Sequence, residues 1–261
     1  IYIFHGVWVN ENDIATIDDV YGNNDKIIKD VIKTGNETVD VLHGNAYIKV
    51  KKGYADGTYT SDVSKYVIGW ILGIEWDPAF VVSSNQNNPS RTNYNGKYLY
   101  TKGASPFEAF LCDIGDKVIE YEMTKYKMQR PVAFSNWVTT DPLKHPNEPY
   151  KNEDLVTVNV EHVKYHNTFK AGMFASYHVY PYYPDTFSLQ TNYVKFKGTD
   201  GKPDPYLAYL EEIKKFHTMP VLISEFGIPA SRGKAHENKV TGFNQGFVDE
   251  KAQGKDQKSV V

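Results

Sequence analysis

The apolar positions of this chain gather into five short, nearly continuous runs, at residues 1–9, 67–74, 131–135, 171–176 and 220–224. Each run is bounded by polar residues or proline, the pattern of a strand buried on both faces of a parallel sheet. Between them lie stretches of helical period. Residues 25–33 set Ile27, Ile28, Val31 and Ile32 on one face. Ser105-Pro106-Phe107-Glu108 combines an N-cap serine, a proline in the first turn and the glutamate of a capping box. That helix is expected to run to about Lys127 on a stripe of Phe107, Phe110, Leu111, Ile114, Val118 and Tyr121. Residues 205–217 repeat the pattern with Leu207, Leu210, Ile213 and Phe216, and 241–255 read as a loop leading into a helix. Residues 79–104 and 138–170 read as long loops, the second with at most a short helix and a strand-like alternation over 154–160. Strand and helix thus alternate, which predicts an α/β fold with parallel strands. No internal repeat or linker divides the chain, so 1–261 reads as a single domain.

Two of the runs end on a carboxylate. The second delivers Glu75-Trp76-Asp77-Pro78, and the fifth delivers Glu225-Phe226-Gly227. A glutamate just beyond a buried strand suits the rim of a barrel better than its core. Two such groups are what acid/base and nucleophilic work on a glycosidic bond requires, at roughly 5–5.5 Å for a retaining enzyme. Glu75 and Glu225 stand 150 residues apart, the spacing of the fourth and seventh strands in a (β/α)₈ TIM barrel with long loops. Asp77 is the nearest rival to Glu75, but Asp-Pro after a strand is an ordinary turn signal.

Gly73-Ile74-Glu75-Trp76, Ser176-Tyr177-His178-Val179-Tyr180 and Leu222-Ile223-Ser224-Glu225-Phe226-Gly227, in that order, resemble the clan-A retaining glycoside hydrolases. The resemblance spans about strands three to seven of the barrel, with strands one, two and eight not visible, so it implies an incomplete barrel needing the rest of a longer polypeptide. It implies Glu75 as acid/base, Glu225 as nucleophile and Tyr180 as the residue that orients Glu225. His178 falls on strand six, where it would contact the sugar or the acid/base. Many members of the clan place Asn directly before the acid/base to bind the sugar 2-hydroxyl. Here that residue is Ile74, and Asn10 or Asn136 is the available substitute.

The implied substrate is a β-linked oligo- or polysaccharide, cleaved by double displacement. Transglycosylation by the same two glutamates, or sugar binding without turnover on a degenerate barrel, fits the same residues. Trp8, Trp76 and Trp137, at or beyond strand ends, are candidates for stacking on sugar rings, although aromatic residues are equally ordinary core material. Arg232, shortly after Glu225, is a further candidate for substrate contact, or a loop ion pair.

Composition narrows the alternatives. Hydrophobic residues make up 41% of 261 and the formal net charge is −3, enough for a sizeable core and contrary to a dedicated nucleic-acid surface. No apolar run approaches membrane-spanning length. Cys112 is the single cysteine, which excludes an internal disulfide. No His-x-His pair, His-Glu-x-x-His motif or glycine-rich nucleotide loop is present, so neither a catalytic metal nor a cofactor is expected. His162 and His166 are four apart, but in a stretch with no helical pattern. The chain opens inside a strand-like run and ends on a polar, helix-like stretch, so it reads as a fragment whose ends leave localisation open.

Overall fold

In the computed structural model, residues 1–49, 55–181, 187–227, 234–237, 244–246, 251 and 254 are described. The fold is mixed α/β around a five-stranded parallel sheet. Its strands are β1 (Ile3–Val7), β2 (Val67–Leu72), β3 (Val132–Trp137), β4 (Ala175–His178) and β5 (Val221–Glu225). They neighbour one another in that order, so the sheet is wound in one direction without reversal. A doubly wound dinucleotide fold would reverse its strand order at the centre. Each strand overlaps one of the five apolar runs, although β4 starts four residues into its run and shares only Ala175 and Ser176 with it. The chain forms two compact units: residues 1–135 with 158–175, and 136–157 with 176–261.

In the first unit β1 pairs with β2 from Phe4 opposite Gly69 to Val7 opposite Leu72, and β2 pairs with β3 from Trp70 opposite Val132 to Leu72 opposite Phe134. Helices α1 (Glu11–Thr16), α2 (Gly22–Leu42), α3 (Pro78–Asn87) and α4 (Pro106–Tyr126) belong to this unit. α4 opens with the expected capping box, in which Ser105 accepts from the Glu108 N–H and Glu108 accepts from the Ser105 N–H. α2 continues nine residues beyond its expected end at residue 33. It does so across Gly35, where an added Cβ would lie 2.7 Å from a Val118 methyl of α4. The glycine, a poor helix former, is what lets the two helices approach.

Residues 79–104, expected as one loop, contain α3. Asp77 caps it by accepting from the Phe80 N–H at 2.9 Å, with Pro78 in its first turn. Residues 99–101 of the same stretch pair antiparallel with 163–165, and 46–48 pair with 57–59. The 138–170 stretch holds no α-helix, and residues 154–160 do not form the strand their alternation suggested. The stretch expected to enter a helix at 241–255 lies largely outside the described residues, but Asn244–Gly246 is a strand paired with Lys234–Glu237.

A buried polar network closes the N-terminal end of β2 and β3. Glu122 of α4 accepts from the Trp70 indole N–H at 2.8 Å and from Arg130 Nε at 2.8 Å, and lies 3.0 Å from His43 Nε2 of the segment after α2. Arg130 also donates to the Val67 carbonyl, where β2 begins. The side chains of Glu122 and Arg130 are 2% and 6% exposed. Removing one member of such a pair strands the other charge in a medium that cannot solvate it. Glu122→Gln is therefore expected to lower unfolding free energy by about 3 kcal/mol in urea titrations followed by tryptophan fluorescence. A loss below about 1 kcal/mol would mean that the pair contributes little beyond its own desolvation.

Candidate functional site

The parallel strands deliver the sequence-predicted residues at their C-terminal ends. Beyond β2 the chain alternates: Leu72, Ile74 and Trp76 are 0%, 5% and 0% exposed, so Glu75 between them turns to the other side. Gly73 makes this path possible. Its φ is +107°, and a Cβ there would sit 3.1–3.3 Å from the Trp76 indole. The Gly73 N–H donates to the Val7 carbonyl at 3.0 Å, fixing the ends of β2 and β1 together. Glu75, partly exposed, faces a cavity of about 410 Å³ lined by Trp8, Glu11, Ile14, Ala15, Ile74, Asp77 and Phe80.

Trp8 lies half exposed on this wall and donates its indole N–H to Glu11 at 3.2 Å. Trp76, expected among the sugar-stacking aromatics, is instead a core residue. Its ring is fully buried and packs edge-on against Phe107 and Phe110 of α4, at centroid distances of 5.0 and 5.7 Å, so no face remains for a sugar. Glu11 and the α1 wall were missed in the sequence, because a helix of six residues is too short to show a period.

In the second unit, Glu225 ends β5. Its backbone carbonyl accepts from the Val179 N–H at 2.9 Å, which fixes the register of the two segments. Tyr177 and Val179 are fully buried, so His178 and Tyr180 turn to the opposite face. There the Tyr180 hydroxyl donates to Glu225 Oε2 at 2.8 Å, and His178 Nδ1 lies 3.5 Å from the same oxygen. The Glu225 side chain is 42% exposed while that of His178 is 5% exposed. One oxygen of an accessible carboxylate is thus held by a phenol, with a buried imidazole beside it. Beneath, Ser176 and Ser224 share a hydrogen bond of 2.8 Å, and the Tyr177 hydroxyl meets His217 Nε2 at 2.8 Å. Arg232, the remaining expected substrate contact, lies outside the described residues.

The C-terminal end of β3 departs from expectation at Asn136, which is 1% exposed. Its side-chain oxygen accepts from the Trp137 N–H and from the Thr140 hydroxyl, both at 2.8 Å. It therefore shapes the 3₁₀ turn Val138–Thr140, and that oxygen is not offered to a sugar hydroxyl. Trp137 itself is partly exposed. Asp141, directly after the Val138–Thr140 turn, is wholly buried and accepts from the Tyr209 hydroxyl at 2.6 Å and the Leu143 N–H at 2.7 Å. Burial pushes its carboxyl up to about 8; those two hydrogen bonds oppose the rise, and the charges of Asp154 and Glu212 add to it.

A raised folded-state pKa means that the folded protein keeps a proton which the unfolded chain has released. The stability Asp141 contributes is full below pH 3.8 and declines as pH rises toward about 8. Asp141→Asn, a neutral mimic of the protonated acid, should show a Tm that improves relative to the parent between pH 5 and pH 8. A difference that stays flat across that range would show that Asp141 is ionised in the folded state throughout.

No helix among the described residues is long and apolar enough to cross a membrane. No protein-family model, curated protein or solved structure matches this chain.

Proposed function

We propose that the sheet is the arc of strands three to seven of a (β/α)₈ barrel, and that the chain is a retaining glycoside hydrolase acting on a β-linked oligo- or polysaccharide. The observation that carries this reading is the Tyr180–Glu225 hydrogen bond of 2.8 Å on a solvent-accessible carboxylate at the C-terminal end of a parallel strand. Ionic attack on an anomeric carbon needs one carboxylate oxygen aimed and the other restrained, and a phenol donor supplies that restraint. Strand order agrees with the assignment: β2, which leads to Glu75, and β5, which ends in Glu225, are three places apart in a one-directional sheet, as the fourth and seventh strands of a barrel are. The aromatic, partly exposed Trp8 and Trp137 near strand ends suit a sugar ligand.

In this mechanism Glu225 attacks the anomeric carbon and forms a glycosyl ester, while the Glu75 carboxyl gives its proton to the departing oxygen. Glu75, now a carboxylate, deprotonates the water that breaks the ester, and the anomeric configuration is retained. Interception of the ester by a sugar hydroxyl in place of water would give transglycosylation from the same residues.

Glu225→Ala is expected to abolish turnover, and added azide should then yield a glycosyl azide of inverted configuration. Glu75→Ala should slow natural glycosides by about 10²–10⁴-fold. It should spare dinitrophenyl glycosides, whose leaving group needs no proton. Tyr180→Phe should lower kcat by about tenfold with little change in KM, the mark of an interaction felt at the transition state. A first-formed product of inverted configuration from the parent protein, or equal losses on both substrate types in Glu75→Ala, would refute the assignment. Sugar binding with no turnover would leave a carbohydrate-binding domain, a reading in keeping with the buried, apolar Ile74 immediately before Glu75.

A further inference from the structure

The cavity beside Glu75 carries more information than the carboxylate alone. Its volume of about 410 Å³ falls in the range of roughly 300–1,000 Å³ typical of small-molecule sites. Its lining residues all belong to the first unit. One wall is the half-exposed indole of Trp8, held in orientation by its hydrogen bond to Glu11. Ile14, Ala15, Ile74 and Phe80 supply apolar surface. The charged groups of the lining are three carboxylates, Glu11, Glu75 and Asp77, without a lysine, arginine or histidine among the residues that form it.

Such a lining offers an aromatic face and hydrogen-bond acceptors. A sugar hydroxyl or an ammonium group donates to carboxylates, and an ammonium is also attracted to an indole face. A uronate or sulfate would bring a further negative charge against this acidic lining.

An acid/base group is distinguished from a nucleophile by what it touches. The nucleophile reaches the anomeric carbon, whereas the acid reaches the oxygen of the departing sugar. Resting on the reading of Glu75 as that acid, we infer that this cavity binds the leaving-group sugar. The sugar stacks on Trp8, and it is neutral or amine-bearing rather than acidic. In transglycosylation the same cavity would receive the acceptor.

The test pairs substrates that do and do not have a leaving sugar. Trp8→Ala should cut kcat/KM on a β-1,4-glucan tetraose by about 30-fold. It should leave β-glucosyl fluoride, whose leaving group occupies no sugar site, within about twofold. Equal losses on the two, or none on the tetraose, overturn the inference while leaving the hydrolase assignment in place.

Charge selection is read by calorimetry and tryptophan fluorescence in the Glu225→Gln protein, where no turnover intervenes. Tetrasaccharides of β-1,4-linked glucose and of β-1,4-linked glucosamine should bind, with a fluorescence change that Trp8→Ala removes. A β-linked glucuronate tetrasaccharide should bind at least about tenfold more weakly, and Glu11→Gln should narrow that gap. Failure of all three to bind, or preferred binding of the uronate, overturns the inference. Trp8-dependent binding by a parent protein that hydrolyses none of these sugars would keep the cavity as a sugar site and remove the glycosidase.

Discussion

The first unit depends on a carboxylate that water never reaches. Glu122 gathers the Trp70 indole, the Arg130 guanidinium and the His43 ring onto two oxygens at the foot of β2 and β3, and Arg130 passes the linkage on to the Val67 carbonyl. A buried charge is costly unless every lone pair is used, so this arrangement tolerates few alternatives. It ties α4, the segment after α2, and the starts of two neighbouring strands into one register. The consequence is a division of labour along the strands. The N-terminal ends of β2 and β3 are locked by buried polar bonds, whereas the carboxylates Glu75 and Glu225 stand accessible at or beyond the C-terminal ends of β2 and β5.

Local geometry at those ends rests on the two-residue period of extended chain. Buried Ile74 and Trp76 turn Glu75 outward, and buried Tyr177 and Val179 turn His178 and Tyr180 to one shared face. Neither arrangement needs a long-range signal. Each needs only a side chain on one face that must be buried, which then dictates where its neighbour points. At Gly73 the constraint is sharper, since positive φ and the underlying Trp76 ring together admit no side chain.

This explains what could be read from the sequence. The five strands were legible because they fall in near-continuous apolar runs, although β1 leaves Ile3 and Phe4 exposed and β5 is only half buried, and α4 because its cap is spelled out by Ser105, Pro106 and Glu108. The α3 helix was illegible because it buries polarity. Ser84, fully buried, accepts from the Val20 N–H at 3.1 Å and donates to the Phe80 carbonyl at 2.8 Å, so the helix packs without a hydrophobic stripe. The far half of α2 was hidden by Thr34, Gly35 and Asn36, poor helix formers in a helix whose Gly35 packs on Val118. Propensity lost to tertiary contact in both places.

The aromatic residues show where sequence reasoning reaches its limit, and why the site needed coordinates. Trp8, Trp76 and Trp137 stand at or beyond the ends of three strands, and residue type alone gives each the same standing. Burial separates them: Trp76 is sealed beneath Phe107 and Phe110, whereas Trp8 is half open. The separation arises from the helices packed against each ring. The Trp76 ring is sealed by Phe107 and Phe110 of α4, whereas Trp8 stays open beside the short α1, whose Glu11 accepts a hydrogen bond from its indole edge. Whether each of these rings is open therefore depends on the element packed against it, which for Trp76 is encoded far along the chain in α4.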